Sequence, residues 1–167
     1  MAKLPRGRAH DLTAAPRHAV FGDVAALTDL WASALAHHAS LDALFALRPG
    51  AAPKLSALLK EALRDPDQAV LVADGADALI GFCAARIERA PLLLVESGRA
   101  QITEVFVEPT TRRGGTGRTL VEAALAWIAE QGVARVEVRV VVGNREGQGF
   151  WRALGFGDFV DVLHRRL

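Results

Sequence analysis

Apolar residues in the first third of the chain recur at helical spacing. Val24, Leu27, Leu30, Trp31 and Leu35 make one stripe, since residues three and four apart share a helix face. Gly22-Asp23 opens this helix with Asp23 as the expected N-cap, and Arg17–Phe21 before it reads as a short strand. Pro49, Gly50 and Pro53 mark a loop. A second helix then runs from about Pro53 to Arg64, with Leu55, Leu58, Leu59 and Leu63 on one face. From Gln68 the pattern becomes that of strands. Ala69–Ala73 and Ala78–Glu88, joined by a turn at Asp74–Asp77, predict an antiparallel hairpin. Ala90–Val95 extends the sheet, Glu96–Arg99 turns, and Ala100–Val107 is a further strand ended by Pro109.

The last third alternates helix and strand. Val121, Ala124, Leu125 and Ile128 place one face of a helix from about Gly117 to Gln131 against the sheet. Gly132 suits its C-terminus. Val133–Val142 is a strand with Arg135, Glu137 and Arg139 alternating against valines, Asn144–Leu154 is a helix, and Phe159–Arg166 is a final strand. The predicted order is strand, two helices, three strands, helix, strand, helix, strand, which is an α/β architecture. The segment from Ile102 to Val142 forms a parallel crossover unit.

Composition narrows the function classes. The 167 residues suit one domain spanning 1–167, and a hydrophobic fraction of 51% suffices for a packed core. Residues 1–16, with Lys3, Arg6, Arg8 and His10, are expected to form a basic tail. The net charge of +1 gives no electrostatic case for a nucleic-acid partner. No apolar run is long enough for a signal peptide or a membrane span, so no membrane partner is expected. Cys83 is the single cysteine, which excludes an intrachain disulfide and fits a cytoplasmic location. No metal site is expected. His37 and His38 are adjacent on a helix and point apart; both are read as solvated helix-end residues that could border an acceptor pocket.

The chemistry concentrates in Arg112-Arg113-Gly114-Gly115-Thr116-Gly117-Arg118, which lies between a strand and a helix. The first turn of a helix has unpaired N–H groups and partial positive charge, and glycine admits close backbone approach. With three arginines, the loop suits a pyrophosphate. It is not a Walker A loop, because Arg112 stands where the first glycine belongs and Arg118 replaces the lysine. It is not a dinucleotide fingerprint either, because Leu120 stands in the third glycine's place. The pattern it satisfies is [QR]-x-x-G-x-[GA], through Arg112, Gly115 and Gly117.

Thr103–Pro109, Arg112–Arg118 and Leu120-Val121 together resemble the coenzyme A segment of the GCN5-related N-acetyltransferases. Downstream, Asn144-x-x-Gly147-x-x-Phe150-Trp151-x-x-Leu154-Gly155-Phe156 is similar to that family's N-x-x-A-x-x-F-Y-x-x-L-G-F stretch. The resemblance implies the acyl-CoA N-acyltransferase fold: a mixed, mostly antiparallel sheet splayed at the cofactor site, with helices on both faces. It implies acetyl-CoA as co-substrate, with Val105 and Val107 offering backbone groups to the pantetheine arm. Arg112, Arg113, Gly114, Gly115, Thr116, Gly117 and Arg118 would hold the pyrophosphate. Asn144, Phe150 and Trp151 would lie along the arm.

The expected reaction is direct acetyl transfer to a primary amine of a small molecule or peptide. Glu104 is the candidate base, with Glu88, Glu96 and Asp158 in reserve. The family often carries a tyrosine as general acid; this chain has none, and Trp151 stands in its place. Cys83, on an apolar strand, is read as packing rather than as a nucleophile. The other reading is a non-catalytic acyl-CoA-binding module with a sensory or regulatory role. An apolar edge at Ala90–Val95 suggests a homodimer.

Overall fold

The computed structural model describes residues 15–89, 95 and 98–165. The expected sheet extension over 90–94, the basic tail over 1–14, and Glu96 lie outside these residues.

Five strands form one sheet in the order β1-β2-β3-β4-β5: β1 is Arg17–His18, β2 Gln68–Asp74, β3 Leu79–Arg89, β4 Gly98–Val107 and β5 Val136–Val138. Pairing is antiparallel from β1 to β4 and parallel between β4 and β5, so the predicted crossover unit is present. The helices are α1 Val24–Leu41, α2 Ala52–Ala62, α3 Thr116–Glu130 and α4 Arg145–Ala153.

Two cores sandwich the sheet. On one face Val24, Leu27, Leu30 and Ala34 of α1 and Leu59 of α2 pack on Val70, Val72, Phe82, Ala84 and Phe106. On the other, Leu120, Val121, Ala124 and Ile128 of α3 pack on Leu71, Cys83, Ala85, Ile87, Ala100, Ile102 and Val107. Phe150, Trp151, Leu154 and Phe156, in and just after α4, join this second core at its margin. Helices on both faces of a mostly antiparallel sheet match the expected fold class.

Three sequence expectations are corrected. Asp23 precedes α1 but makes no side-chain cap to it. Its carboxylate instead accepts from the Val20 amide and from both terminal nitrogens of Arg17, at 2.8 to 3.0 Å. Arg17 also reaches Asp74, so these charges tie the first strand to the end of β2. The expected strand Val133–Val142 contracts to Val136–Val138. The expected final strand Phe159–Arg166 is not a strand over its described residues 159–165. Phe159, Val160, Val162 and Leu163 are all exposed there. A strand needs a ladder partner, and no described residue pairs with β5 on the edge away from β4.

Candidate active site

The site is built where β4 loses its neighbour. β4 pairs with β5 only through Ala100↔Val136, Gln101↔Glu137 and Ile102↔Val138. From Thr103 to Val107 the β5-facing edge has no described strand partner, whereas the β3 side stays paired as far as Val107. Residues of an antiparallel strand alternate between facing their partner and facing away. Glu108 donates its amide back to Ile80 on β3, so Val107 and, two residues earlier, Val105 turn their backbone groups toward the gap. The Val107 carbonyl accepts from Arg112 Nε at 2.9 Å. One of the two residues expected to serve a ligand is therefore already engaged by the loop that follows.

A bulge decides which side chain meets which face. Ala84 pairs with Glu104 but Ala85 pairs with Ile102, so Thr103 is an extra residue in β4. Its hydroxyl donates to the Ala84 carbonyl at 3.2 Å. Plain alternation would put Glu104 on the same face as Ala100 and Ile102, under α3. The extra residue reverses the facing, and Glu104 emerges on the α1 face with Phe106. Val105 and Val107 turn to the α3 face, where both contribute to that core.

Glu104 is only 8% exposed. Burial pushes its carboxyl up to about 7, with the Val105 amide acting more weakly in the opposite sense. Its Oε2 lies 3.7 Å from His38 Nδ1 on the last turn of α1. His38 was expected to be solvated; its imidazole is instead half-buried against Phe45, with ring centroids 5.7 Å apart, and burial lowers its pKa. The missed signal was spacing: His38 lies four residues after the buried Ala34 and extends the same stripe. Of the reserve carboxylates, Glu88 is bound by Arg86 and Arg99, and Asp158 by Arg152. The α1 face of the sheet beyond Glu104 is polar, with Gln101 joined to Arg86 at 2.7 Å and Glu137 to Arg99 at 3.4 Å.

On the opposite face lies the arginine–glycine loop. Pro109–Thr111 forms a single 3-10 turn. Arg113 (φ +68) and Gly115 (φ +89) are both left-handed, and Gly115 is the N-cap of α3. No side chain caps this helix end, so the first-turn amides retain hydrogen-bonding capacity for an anion. Gly114 and Gly115 are exposed, and a Cβ on Gly115 would meet nothing within 4 Å. Gly117 has a different reason. A Cβ there would stand 3.4 Å from the Phe150 ring, so it serves the contact between α3 and α4. Thr116 is buried. Arg113 is exposed, and Arg118 reaches Glu122 and the Ala153 carbonyl.

The second motif orders α4. Asn144 Oδ1 accepts from the Gly147 amide at 2.9 Å and caps the helix. Gly147 stands where the family motif has alanine, and a Cβ there would come within 2.6 Å of Asn144 Nδ2. Phe150, Trp151 and Phe156 form an edge-to-face row with centroids 5.0 to 5.1 Å apart. Asn144 thus fixes the start of α4, while Phe150 and Trp151 pack on one another and on the margin of the α3 core.

A family profile described as the acetyltransferase (GNAT) family matches residues 28–156. The chain belongs to the acetyltransferase (GNAT) family. Enzymes of this family use acetyl-CoA. A mycothiol acetyltransferase of Nocardioides sp. is 28% identical over 169 residues, covering 96% of this chain and 55% of the relative. The chain spans 28 to 55% of the length of the mycothiol acetyltransferases it matches. Two solved structures share the fold. One is a tetramutant of the BH1408 protein from Bacillus halodurans, with TM-score 0.79 and 21% identity, covering 91% of this chain and 99% of the other. The second is the aminoglycoside N-acetyltransferase AAC(6')-Iy in complex with CoA, with TM-score 0.73 and 22% identity, covering 99% of each chain. The two motifs meet at Gly117, where a Cβ would stand 3.4 Å from the Phe150 ring and 3.7 Å from Val107 at the end of β4.

Proposed function

We propose that this chain is an acetyl-CoA-dependent N-acetyltransferase acting on a primary amine of a small molecule or peptide. The observation that supports this most directly is the buried carboxyl of Glu104 beside the unpaired edge of β4. The residues present suit the coenzyme. The uncapped start of α3 and Arg113 can take a pyrophosphate, and the unpaired edge at Val105 can take the amides of an extended arm as an added strand does. The coenzyme supplies the activated acetyl thioester.

This chain's residues supply binding and proton handling. The coenzyme loop is on the α3 face and the base on the α1 face, so the gap lets donor and acceptor meet from opposite sides. Glu104, ionised above about pH 7, takes the proton of the amine. Among the described residues Trp151 offers no acid to the leaving group, because indole N–H does not ionise in this range. Cys83 is fully buried and burial raises its thiol pKa, which argues against a thiolate nucleophile. We read residues 1–167 as one domain in a reducing, cytoplasmic setting, and as a homodimer. No described helix is long and apolar enough to cross a membrane.

Mycothiol acetyltransferases are the relatives matched, and a bisubstrate complex of the neighbour AAC(6')-Iy carries an acetylneamine group. A soluble small-molecule amine is therefore the first class to test. The test is coenzyme A release from acetyl-CoA with a panel of amines. Glu104→Gln should retain acetyl-CoA affinity and lose turnover by ~10²–10⁴-fold, while Cys83→Ala stays active. Acetyl-CoA binding with no turnover of any amine would favour a sensory module instead.

A further inference from the structure

We infer that His38 and Glu104 work as one proton-handling pair, in which His38 Nδ1 receives the proton that Glu104 takes from the acceptor amine and His38 Nε2 releases one to solvent. This rests on the reading of Glu104 as the base. A carboxyl that is 8% exposed has little direct access to bulk water, yet must discard one proton for every acetyl group transferred. The imidazole is placed between the two environments. Its side chain is 25% exposed, and its Nδ1 is 3.7 Å from Glu104 Oε2. That separation is longer than a direct hydrogen bond, so transfer requires the two side chains to approach. The Phe45 ring holds the imidazole edge-on. The Asp42 amide fixes the last turn of α1 by donating to the His38 carbonyl, and a helix C-terminus favours a transient positive charge.

The proton balance is complete. The attacking nitrogen bonds to the acetyl carbonyl carbon as the C–S bond breaks and coenzyme A leaves as the thiolate, and the nitrogen loses one proton to Glu104. Glu104 passes it to Nδ1 of an imidazole in the Nε2–H form, Nε2 gives its proton to water, tautomer exchange through solvent restores the Nε2–H form before the next turnover, and no electron changes hands. Burial raises the carboxyl and lowers the imidazole, so the imidazole holds the proton only transiently and passes it on. Other groups bearing on the pair are His37 on α1 and Cys83 on β3. Asp42, just past α1, has its carboxylate engaged by the Leu44 amide. None of these offers the carboxyl a second exit.

The first test needs neither coenzyme nor acceptor. In the full chain, with histidine labelled for NMR, the His38 titration curve is followed in wild type and in Glu104→Gln. Glu104 ionises near 7, above the lowered His38 value, so a coupled imidazole should report that ionisation as a second inflection near pH 7 in wild type that is absent from the variant. Identical curves in the two proteins overturn the pair. The second test uses acetyl-CoA with neamine, spermidine, lysine and a glycine tripeptide, taking whichever turns over fastest. His38→Gln should leave the KM for acetyl-CoA unchanged, lower kcat about tenfold at pH 7, and move the acidic limb of kcat/KM to higher pH. Imidazole in the buffer should restore turnover to His38→Ala. A wild-type pH profile in His38→Gln, alongside an inactive Glu104→Gln, removes His38 and keeps the base. A fully active Glu104→Gln removes the base reading itself. Where no panel amine reacts, the titration decides alone.

Discussion

Glu104 should destabilise the protein at the pH where it works. An unfolded glutamate ionises near 4.5, whereas the buried one holds its proton to about 7. Between those values the native state binds more protons than the unfolded state, so stability falls as pH rises and the loss is complete above the folded value. At about 1.36 kcal/mol for each pH unit of that gap, the cost is a little over 3 kcal/mol. Little of it is screened, because the side chain is 8% exposed. Glu104→Gln keeps the shape and removes the charge. It should match wild type near pH 4 and exceed it by up to about 3 kcal/mol at pH 8. In a chain of this size that corresponds to roughly 6–12 °C in Tm. Urea denaturation of both proteins at pH 4, 6 and 8 measures the difference directly. If the carboxylate were instead one half of a structural ion pair with His38, the variant would be less stable than wild type at neutral pH. That outcome, or a difference that does not change with pH, would refute the reasoning.

Two further outcomes follow from glycine positions. Gly115→Val forces a β-branched residue to φ +89 and should cost about 1–3 kcal/mol while weakening acetyl-CoA binding by more than tenfold; Gly115→Asn, which tolerates the left-handed region, should cost less on both counts. Calorimetric titration and thermal melts separate the two effects. Gly147→Ala places a Cβ against the Asn144 side chain that caps α4 and should cost about 1 kcal/mol. In an Asn144→Ala background the same substitution should be nearly neutral, so a double-mutant cycle with additive costs would show that the cap is not what the glycine protects.

Much of the fold was readable because its signals are local. The stripes of α1 and α3, the hairpin of β2 and β3, and the parallel crossover all rest on periodicity. The two motifs lay where the structure has the α3 N-terminus and α4. What could not be read depends on partners distant in sequence. Apolar character over 159–163 predicts a strand, but a strand also needs a neighbour, and β5 presents none on that side among the described residues. Likewise Val133–Val142 alternates over ten residues while only Val136–Val138 find β4. His38 was half-legible. Its place on the Ala34 stripe was in the sequence, but the carboxylate it faces comes from a strand about sixty residues later.

The bulge at Thr103 is where local pattern and site part company. Read by alternation, Glu104 belongs with Ala100 and Ile102 in the apolar core under α3, where an ionisable group would have neither partner nor substrate. One extra residue in β4 keeps Ile102 in that core and turns Glu104 to the α1 face, three positions before the strand ends. The same residue marks the end of pairing with β5, since Ile102 is the last β4 residue matched to it. Facing and splay therefore change together at one position. Deleting Thr103 would place Glu104 directly after Ile102, opposite Ala84 and still on the α1 face; drawing Thr103 into the ladder opposite Ala84 is what would return Glu104 to the α3 face. A base on one side of the sheet and a phosphate loop on the other thus depend on one unpaired residue between them.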